Sequence, residues 1–93
     1  MSEMISEKTC IEFTEMLSSK AAVPGGGGAA ALCGALAASL CSMAGNLTLG
    51  RKKYAQYEAD LVRMLADCEK LRTSFLELID RDAEAFEPLS KAY

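Results

Sequence analysis

Apolar residues fall into three stretches along the 93-residue chain, and the spacing in each predicts a helix. From about Ser6 to Lys20, Cys10, Phe13, Met16 and Leu17 recur at helical spacing while Glu7, Glu12 and Glu15 lie elsewhere around the turn, as in a short amphipathic helix held by packing. From Ala29 to about Leu49, alanines and leucines make a strong helix former without a single charge. From about Tyr54 to Glu87 the apolar positions follow a seven-residue period. One column holds Tyr54, Leu61, Cys68, Phe75, Asp82 and Leu89; the other holds Tyr57, Met64, Leu71, Leu78 and Ala85. At 1.5 Å per residue this third helix is roughly 50 Å long. Pro88, which cannot bond to the carbonyl of Glu84, is expected to kink or end it. No strand-like alternation and no internal repeat appears, so the expected class is all-α, an antiparallel bundle of long helices in one domain over residues 1–93.

Size bears on how such a bundle is completed. A chain this short buries only about 60 to 65% of the surface its unfolded form exposes, so a partner is expected to finish the core, with dimerisation the simplest route. The middle helix fits that role. Ala30, Gly34, Ala38 and Ser42 recur every four positions, a stripe of small residues that lets another helix approach closely. Leu32, Leu36, Leu40 and Met43 fill the adjoining directions, and a helix apolar nearly all round is expected to be buried in a bundle, often between subunits. The uncharged run from Ala21 to Gly50 is long enough to span a bilayer. Ala, Gly, Ser, Asn and Thr dominate it, however, and no aromatic residue marks either end, so no membrane partner is expected.

The break before this helix combines Pro24 with Gly25, Gly26, Gly27 and Gly28. Two readings stand for the glycines. They can form a flexible turn, or their backbone N–H groups, from Gly26 to Ala29, can cradle a carboxylate or phosphate at a helix N-terminus. No G-K-[ST] follows and no strand precedes, so neither a Walker loop nor a dinucleotide fold is present.

Asp82 stands in the column otherwise filled by residues such as Leu61 and Phe75, whereas Glu77, Asp80, Glu84 and Glu87 fall on positions expected to be solvated. A carboxylate facing an apolar seam is costly to desolvate unless paired, and burial raises its pKa toward the range useful for proton transfer. The other readings are a polar residue that fixes helix register, or an Asp at a position that has already left the seam near Pro88. The stretch NLTLGRKKY, Asn46 to Tyr54, joins the two long helices. Gly50 is a natural stop, and Arg51, Lys52 and Lys53 suit the negative end of a helix, either as a solvated cap or as contacts to an anionic ligand.

Charge and cysteine content exclude several classes. The net charge is −3, and no basic run or helix face recommends a nucleic-acid partner. Cys10, Cys33, Cys41 and Cys68 show no C-x-x-C spacing, and the chain has no histidine, so no metal site is expected. The cysteines read as small buried hydrophobes in a reducing compartment, and the polar N-terminus MSEMISEKT carries no secretory pattern; the cytoplasm is the expected location. Without histidine, proton chemistry falls to Asp, Glu, Lys or Tyr.

PGGGGAAALCGALAASL, then NLTLGRKKY, then LIDRDAEAF, in that order and at these separations, resemble the cyclodeaminase/cyclohydrolase family over residues 24 to 86. That family comprises the cyclodeaminase domain of formiminotransferase-cyclodeaminase and its stand-alone bacterial relatives, including methenyltetrahydrofolate cyclohydrolases. The resemblance implies an all-helical homodimer or higher oligomer that acts on a one-carbon tetrahydrofolate near the subunit contact, with the folate as substrate and no further cofactor. It also implies a longer domain, with more helices beyond Tyr93, of which this chain is the N-terminal portion. On that footing Asp82 is the expected catalytic carboxylate. Gly25, Gly26, Gly27 and Gly28 would hold the substrate or its glutamate tail, Lys52 and Lys53 would contact ligand carboxylates, and Asn46 and Thr48 would position it. The implied reaction is hydrolysis of 5,10-methenyltetrahydrofolate, with ammonia release from a formimino folate, or an inactive oligomerising fragment, as the alternatives.

Overall fold

Local chemistry sets each helix boundary in the computed structural model, which describes residues 4–92. The first helix, α1 (Cys10–Ser18), starts later than the apolar spacing indicates, because Thr9 and Glu12 form a capping box. The Glu12 N–H donates to Thr9 Oγ1 and the Thr9 N–H to Glu12 Oε1, each at 3.0 Å, which satisfies two N–H groups at that end of the helix. The preceding residues Ile5–Glu7 form a separate 3-10 turn.

The second helix, α2 (Gly26–Thr48), begins inside the glycine run, with Gly25 as its N-cap. It ends where Gly50 takes φ 87°, the left-handed conformation that glycine adopts without steric cost, as expected of a helix stop. Arg51 Nε donates to the Leu47 carbonyl at 2.9 Å, so the first of the three basic residues is a cap. A 3-10 segment, Lys52–Tyr57, leads into the third helix, α3 (Glu58–Ala92).

Pro88 neither ends nor interrupts α3, contrary to expectation. Its fixed φ is already helical, and the Glu84 carbonyl it leaves unbonded belongs to an exposed residue, where water can replace the lost donor.

The fold is all-α, and α2 and α3 pair as a long antiparallel hairpin. Added at Gly27, Gly34 or Gly45, a Cβ would meet Asp82, Phe75 and Met64 respectively, so each step up α2 is matched by an equal step down α3. The contact face keeps part of the expected stripe, since Gly34 takes the Phe75 ring and Ala38 is buried, but it is not a four-residue series. Gly28, Ala31, Ala35, Ala38 and Gly45 are buried on α2, while Ala30 is exposed. A four-residue step overshoots the helical turn by about 40°, so a strict four-residue series winds off the contact, whereas alternating steps of three and four stay on it.

On α3, Cys68, Ile79 and Ala83 are buried and Leu65 and Leu76 half-buried, but Leu71, Leu78 and Ala85 of the second expected column are exposed. A straight helix drifts about 20° per heptad against a seven-residue repeat, which turns that column away over the four heptads from Tyr57 to Ala85. Asp80 is also not simply solvated. It is half-buried and accepts from the Ser6 N–H at 3.0 Å and from Ser6 Oγ at 2.5 Å, tying the N-terminal turn to α3.

The main core lies at one end of the hairpin. Ile5 and Phe13 pack there with Ala31, Ile79 and Ala83, and Met16, Val23, Leu32, Phe75 and Leu76 close over them. Ile79 is only 2% exposed, and full burial of such a side chain contributes roughly 1.5 to 3 kcal/mol. Beyond this cluster the hairpin is thin. The extents are 57 × 23 × 22 Å and the radius of gyration is 17.1 Å, against about 12 Å for a compact chain of this length.

Burial of α2 nearly all round is therefore not met in the single chain. Leu36, Leu40, Met43 and Leu47 form an exposed stripe on the side away from α3. With a mean hydropathy of 1.6, the helix is long and apolar enough to cross a membrane by length and composition alone. The cysteines depart in the same way: Cys68 is buried, whereas Cys10, Cys33 and Cys41 are exposed free thiols.

Candidate functional site

The core cluster fixes the start of α2 against the C-terminal half of α3, and the expected glycines and Asp82 meet there. Gly25 offers no side-chain cap, and its carbonyl accepts the bond that opens α2, from the Ala29 N–H at 3.0 Å. The N–H groups of Gly26, Gly27 and Gly28 thus have no acceptor within the helix, whereas that of Ala29, expected to join them, is already used.

Asp82 lies directly over Gly27. A Cβ at that position would stand 2.5 Å from Asp82 Oδ1 and 2.8 Å from Oδ2, closer than atoms can pack. Glycine is what allows the carboxylate to sit against the backbone at the positive end of α2, where the helix dipole favours negative charge. Gly28 answers a different contact. Its missing side chain accommodates Pro24, whose Cβ would lie 3.3 Å from an added methyl group.

Asp82 is half-buried and has no hydrogen-bond or ion-pair partner among the described residues. Its carboxylate borders a groove of about 410 Å³ whose other walls are Gly27, Ala30, Ala31, Phe75, Leu78 and Arg81. This volume lies within the range of small-molecule sites. An aromatic ring, aliphatic walls, one carboxylate and one guanidinium suit a flat ligand with both cationic and anionic groups. A second groove of about 530 Å³, between the N-terminal turn and α3, includes Asp80 and Glu84 but none of the expected site residues.

The remaining expected residues lie elsewhere. Asn46 and Thr48 stand at the far end of α2, and Lys52 and Lys53 in the segment after it; about 20 residues of helix at 1.5 Å each separate them from Gly27 by roughly 30 Å. Thr48 Oγ1 donates to the Ala44 carbonyl of its own helix at 2.8 Å. Asn46, Lys52 and Lys53 are exposed, and the Lys53 ammonium lies 5.6 Å from the centre of the Tyr54 ring. One chain therefore brings together Gly27 and Asp82 but not the four polar residues of the loop end. Arg81 and Phe75 line the groove and are not among the sequence-derived site residues. Phe75 is legible only as a seam residue, one heptad before Asp82.

Among the described residues no group of three or more metal-ligating side chains occurs. Glu12 and Glu69 are held below the ordinary glutamate range, the first by hydrogen bonds from the Thr9 backbone N–H and side chain, the second by the Arg72 side chain. Neither lines the groove.

Comparison with known proteins gives this geometry a context. The sequence is 47% identical over 90 residues to a methenyltetrahydrofolate cyclohydrolase of Methylorubrum extorquens, covering 97% of this chain and 43% of that protein. It is 35% identical over 80 residues to a formimidoyltransferase-cyclodeaminase of Sus scrofa and 36% identical over 80 residues to one of Dictyostelium discoideum. Each match covers 86% of this chain and 15% of the relative. The chain thus spans less than half the length of these relatives. The family profile described as formiminotransferase-cyclodeaminase matches residues 9–93, and the chain belongs to that family.

Proposed function

We propose that this chain forms the substrate-carboxylate half of a folate one-carbon site and that the reaction is hydrolysis of 5,10-methenyltetrahydrofolate to formyltetrahydrofolate. The observation that carries the reading is the unpartnered Asp82 carboxylate over Gly27, facing the groove at the open start of α2. A methenyl folate holds a cationic amidinium carbon. Asp82 stabilises that charge and accepts a proton from water as the water oxygen bonds to the carbon. The hydroxyl of the tetrahedral adduct then gives its proton to solvent water as one carbon–nitrogen bond breaks, and the leaving nitrogen takes up the proton held by Asp82, so that the formyl group stays on the other nitrogen and one proton is released overall. Gly25 to Gly28 let the ligand approach the helix terminus closely. The 47% identity to a protein named a cyclohydrolase favours this reaction.

Relatives named cyclodeaminases support a second reading, in which the same carboxylate delivers a proton to the nitrogen leaving a formimino folate as ammonia.

Asn46, Thr48, Lys52 and Lys53 join such a site only from a second copy lying head to tail, and the exposed stripe Leu36, Leu40, Met43 and Leu47 is the surface on which that copy would pack. The proposed assembly is a cytoplasmic homodimer without nucleic-acid, membrane or metal partners. A reducing location agrees with three exposed free thiols.

The test is loss of methenyltetrahydrofolate absorbance with the wild-type chain and with Asp82→Asn over a range of protein concentrations. Turnover above the spontaneous rate that disappears in the variant supports the reading, and turnover that survives removes Asp82 from it. Ammonia release from a formimino folate, without loss of the methenyl compound, selects the deaminase.

A further inference from the structure

Three arginines punctuate α3 at intervals of nine residues: Arg63, Arg72 and Arg81. The first two are neutralised locally. Arg63 pairs with Asp60 three positions earlier, and Arg72 pairs with Glu69, its Nε donating to Oε2 at 3.0 Å. At the equivalent place before Arg81 stands Leu78, which is uncharged. Glu77 and Glu84, four positions before and three after, are within helical reach, yet Arg81 makes no hydrogen bond or ion pair with any described residue. Its side chain lines the groove instead, beside Leu78 and Asp82 and across from Gly27.

An anionic and a cationic group thus face the same groove without neutralising each other. Lys52 and Lys53, the cations expected to meet ligand carboxylates, are roughly 30 Å away along the hairpin. We infer that Arg81 is a specificity-determining residue of this site: its guanidinium binds a carboxylate of the ligand's glutamate tail while Asp82 faces the one-carbon end. This rests on the folate reading given above. The planar fork of arginine suits a carboxylate bidentately, and the Phe75 ring and Leu78 supply an apolar wall for the aromatic body between the two charged ends. The contact selects by charge and adds nothing to the chemistry at the reacting carbon.

The test compares equilibrium binding of folic acid and its glutamate diamide, which share every ring and the glutamate skeleton but differ in the two carboxylate charges, to the wild-type chain and to Arg81→Gln. The expected result is a preference of about tenfold or more for folic acid in the wild type, abolished in the variant by weaker folic acid binding, with binding of the diamide unchanged. Arg81→Lys should retain part of the preference. Raising the salt concentration should narrow it in the wild type, because the groove is open to solvent. A preference of equal size in wild type and Arg81→Gln, or one indifferent to salt, overturns the role of Arg81 and leaves the folate reading standing. Failure of the wild type to bind either compound removes the folate reading and this inference together. Arg81 is exposed and unpaired, so its replacement should leave the thermal unfolding curve in place; a shifted curve would show a structural role and count against the inference.

Discussion

Gly27→Ala separates the placement of Asp82 from its chemical identity. The added methyl carbon would stand 2.5 Å from Asp82 Oδ1 and 2.8 Å from Cγ, whereas ordinary contact begins at 3.4 Å. The carboxylate must therefore retreat by roughly 0.9 Å or swing into another rotamer, and a misplacement of about 1 Å at a reacting group costs on the order of 10²-fold in rate. The backbone tolerates the change, since Gly50 is the only described glycine with positive φ, and alanine in place of glycine favours the helix by about 0.5 to 1 kcal/mol. Gly26→Ala is the control: it lies in the same first turn, and nothing stands within 4 Å of its added Cβ. Both variants should unfold at or above the wild-type temperature. Only Gly27→Ala should lose turnover of methenyltetrahydrofolate, by roughly two orders of magnitude and mainly in kcat. Equal activity in the two variants would refute the claim that the carboxylate works from its place over Gly27. Equal loss in both would move the effect to the backbone N–H groups.

Gly34→Ala would put a methyl group 2.7 Å from Cδ1 and Cε1 of Phe75, and overpacking of about 1 to 3 kcal/mol, offset by about 1 kcal/mol of helix propensity, should leave it less stable in urea unfolding. Ser6→Ala removes the hydroxyl donor to half-buried Asp80 and should cost about 1 to 2 kcal/mol in the same assay, without changing binding in the groove. Thr9→Ala breaks the capping box and should cost about 1 kcal/mol. Glu12 and Glu69 both have folded pKa values below the ordinary 4.5, so the stability they contribute is present above the unfolded value and lost as pH falls through the folded one. Urea midpoints should therefore fall on acidification below about pH 4.5, and Glu12→Gln should flatten that fall.

The helical class, the hairpin and the stop at Gly50 were legible because they depend on local signals: uninterrupted helix formers, a persistent apolar period and a glycine where the chain must turn left-handed. The capping box was written in the sequence as Thr9 and Glu12, three positions apart, but the apolar pattern runs past it and hides the true start of α1. Asp82 could be placed on the seam because its column, with Cys68 and Phe75, lies near enough the middle of the contact to stay in it despite the drift of a seven-residue period. The second column lies nearer the edge, and the same drift carries Leu71, Leu78 and Ala85 out of it. The groove itself was not legible. Arg81 and Phe75 belong to different faces of the α3 pattern, and both border one groove against Gly27, Ala30 and Ala31 of α2, which no period along α3 alone records. The separation of Asn46, Thr48, Lys52 and Lys53 from Asp82 follows from helix length rather than residue type, and nothing in a list of polar residues carries it.

The notch at Gly34 has a consequence at a distance. Phe75 seats in it one heptad from Asp82, and Gly34 lies one heptad from Gly27, so the aromatic ring and the carboxylate ride on the same sliding coordinate between the two helices. A displacement of α3 by one helical turn, about 5.4 Å, would unseat the ring from its notch and carry Asp82 off the start of α2 in one movement. The ring thus works as a detent, and the setting that seats it is the one that holds Asp82 over Gly27.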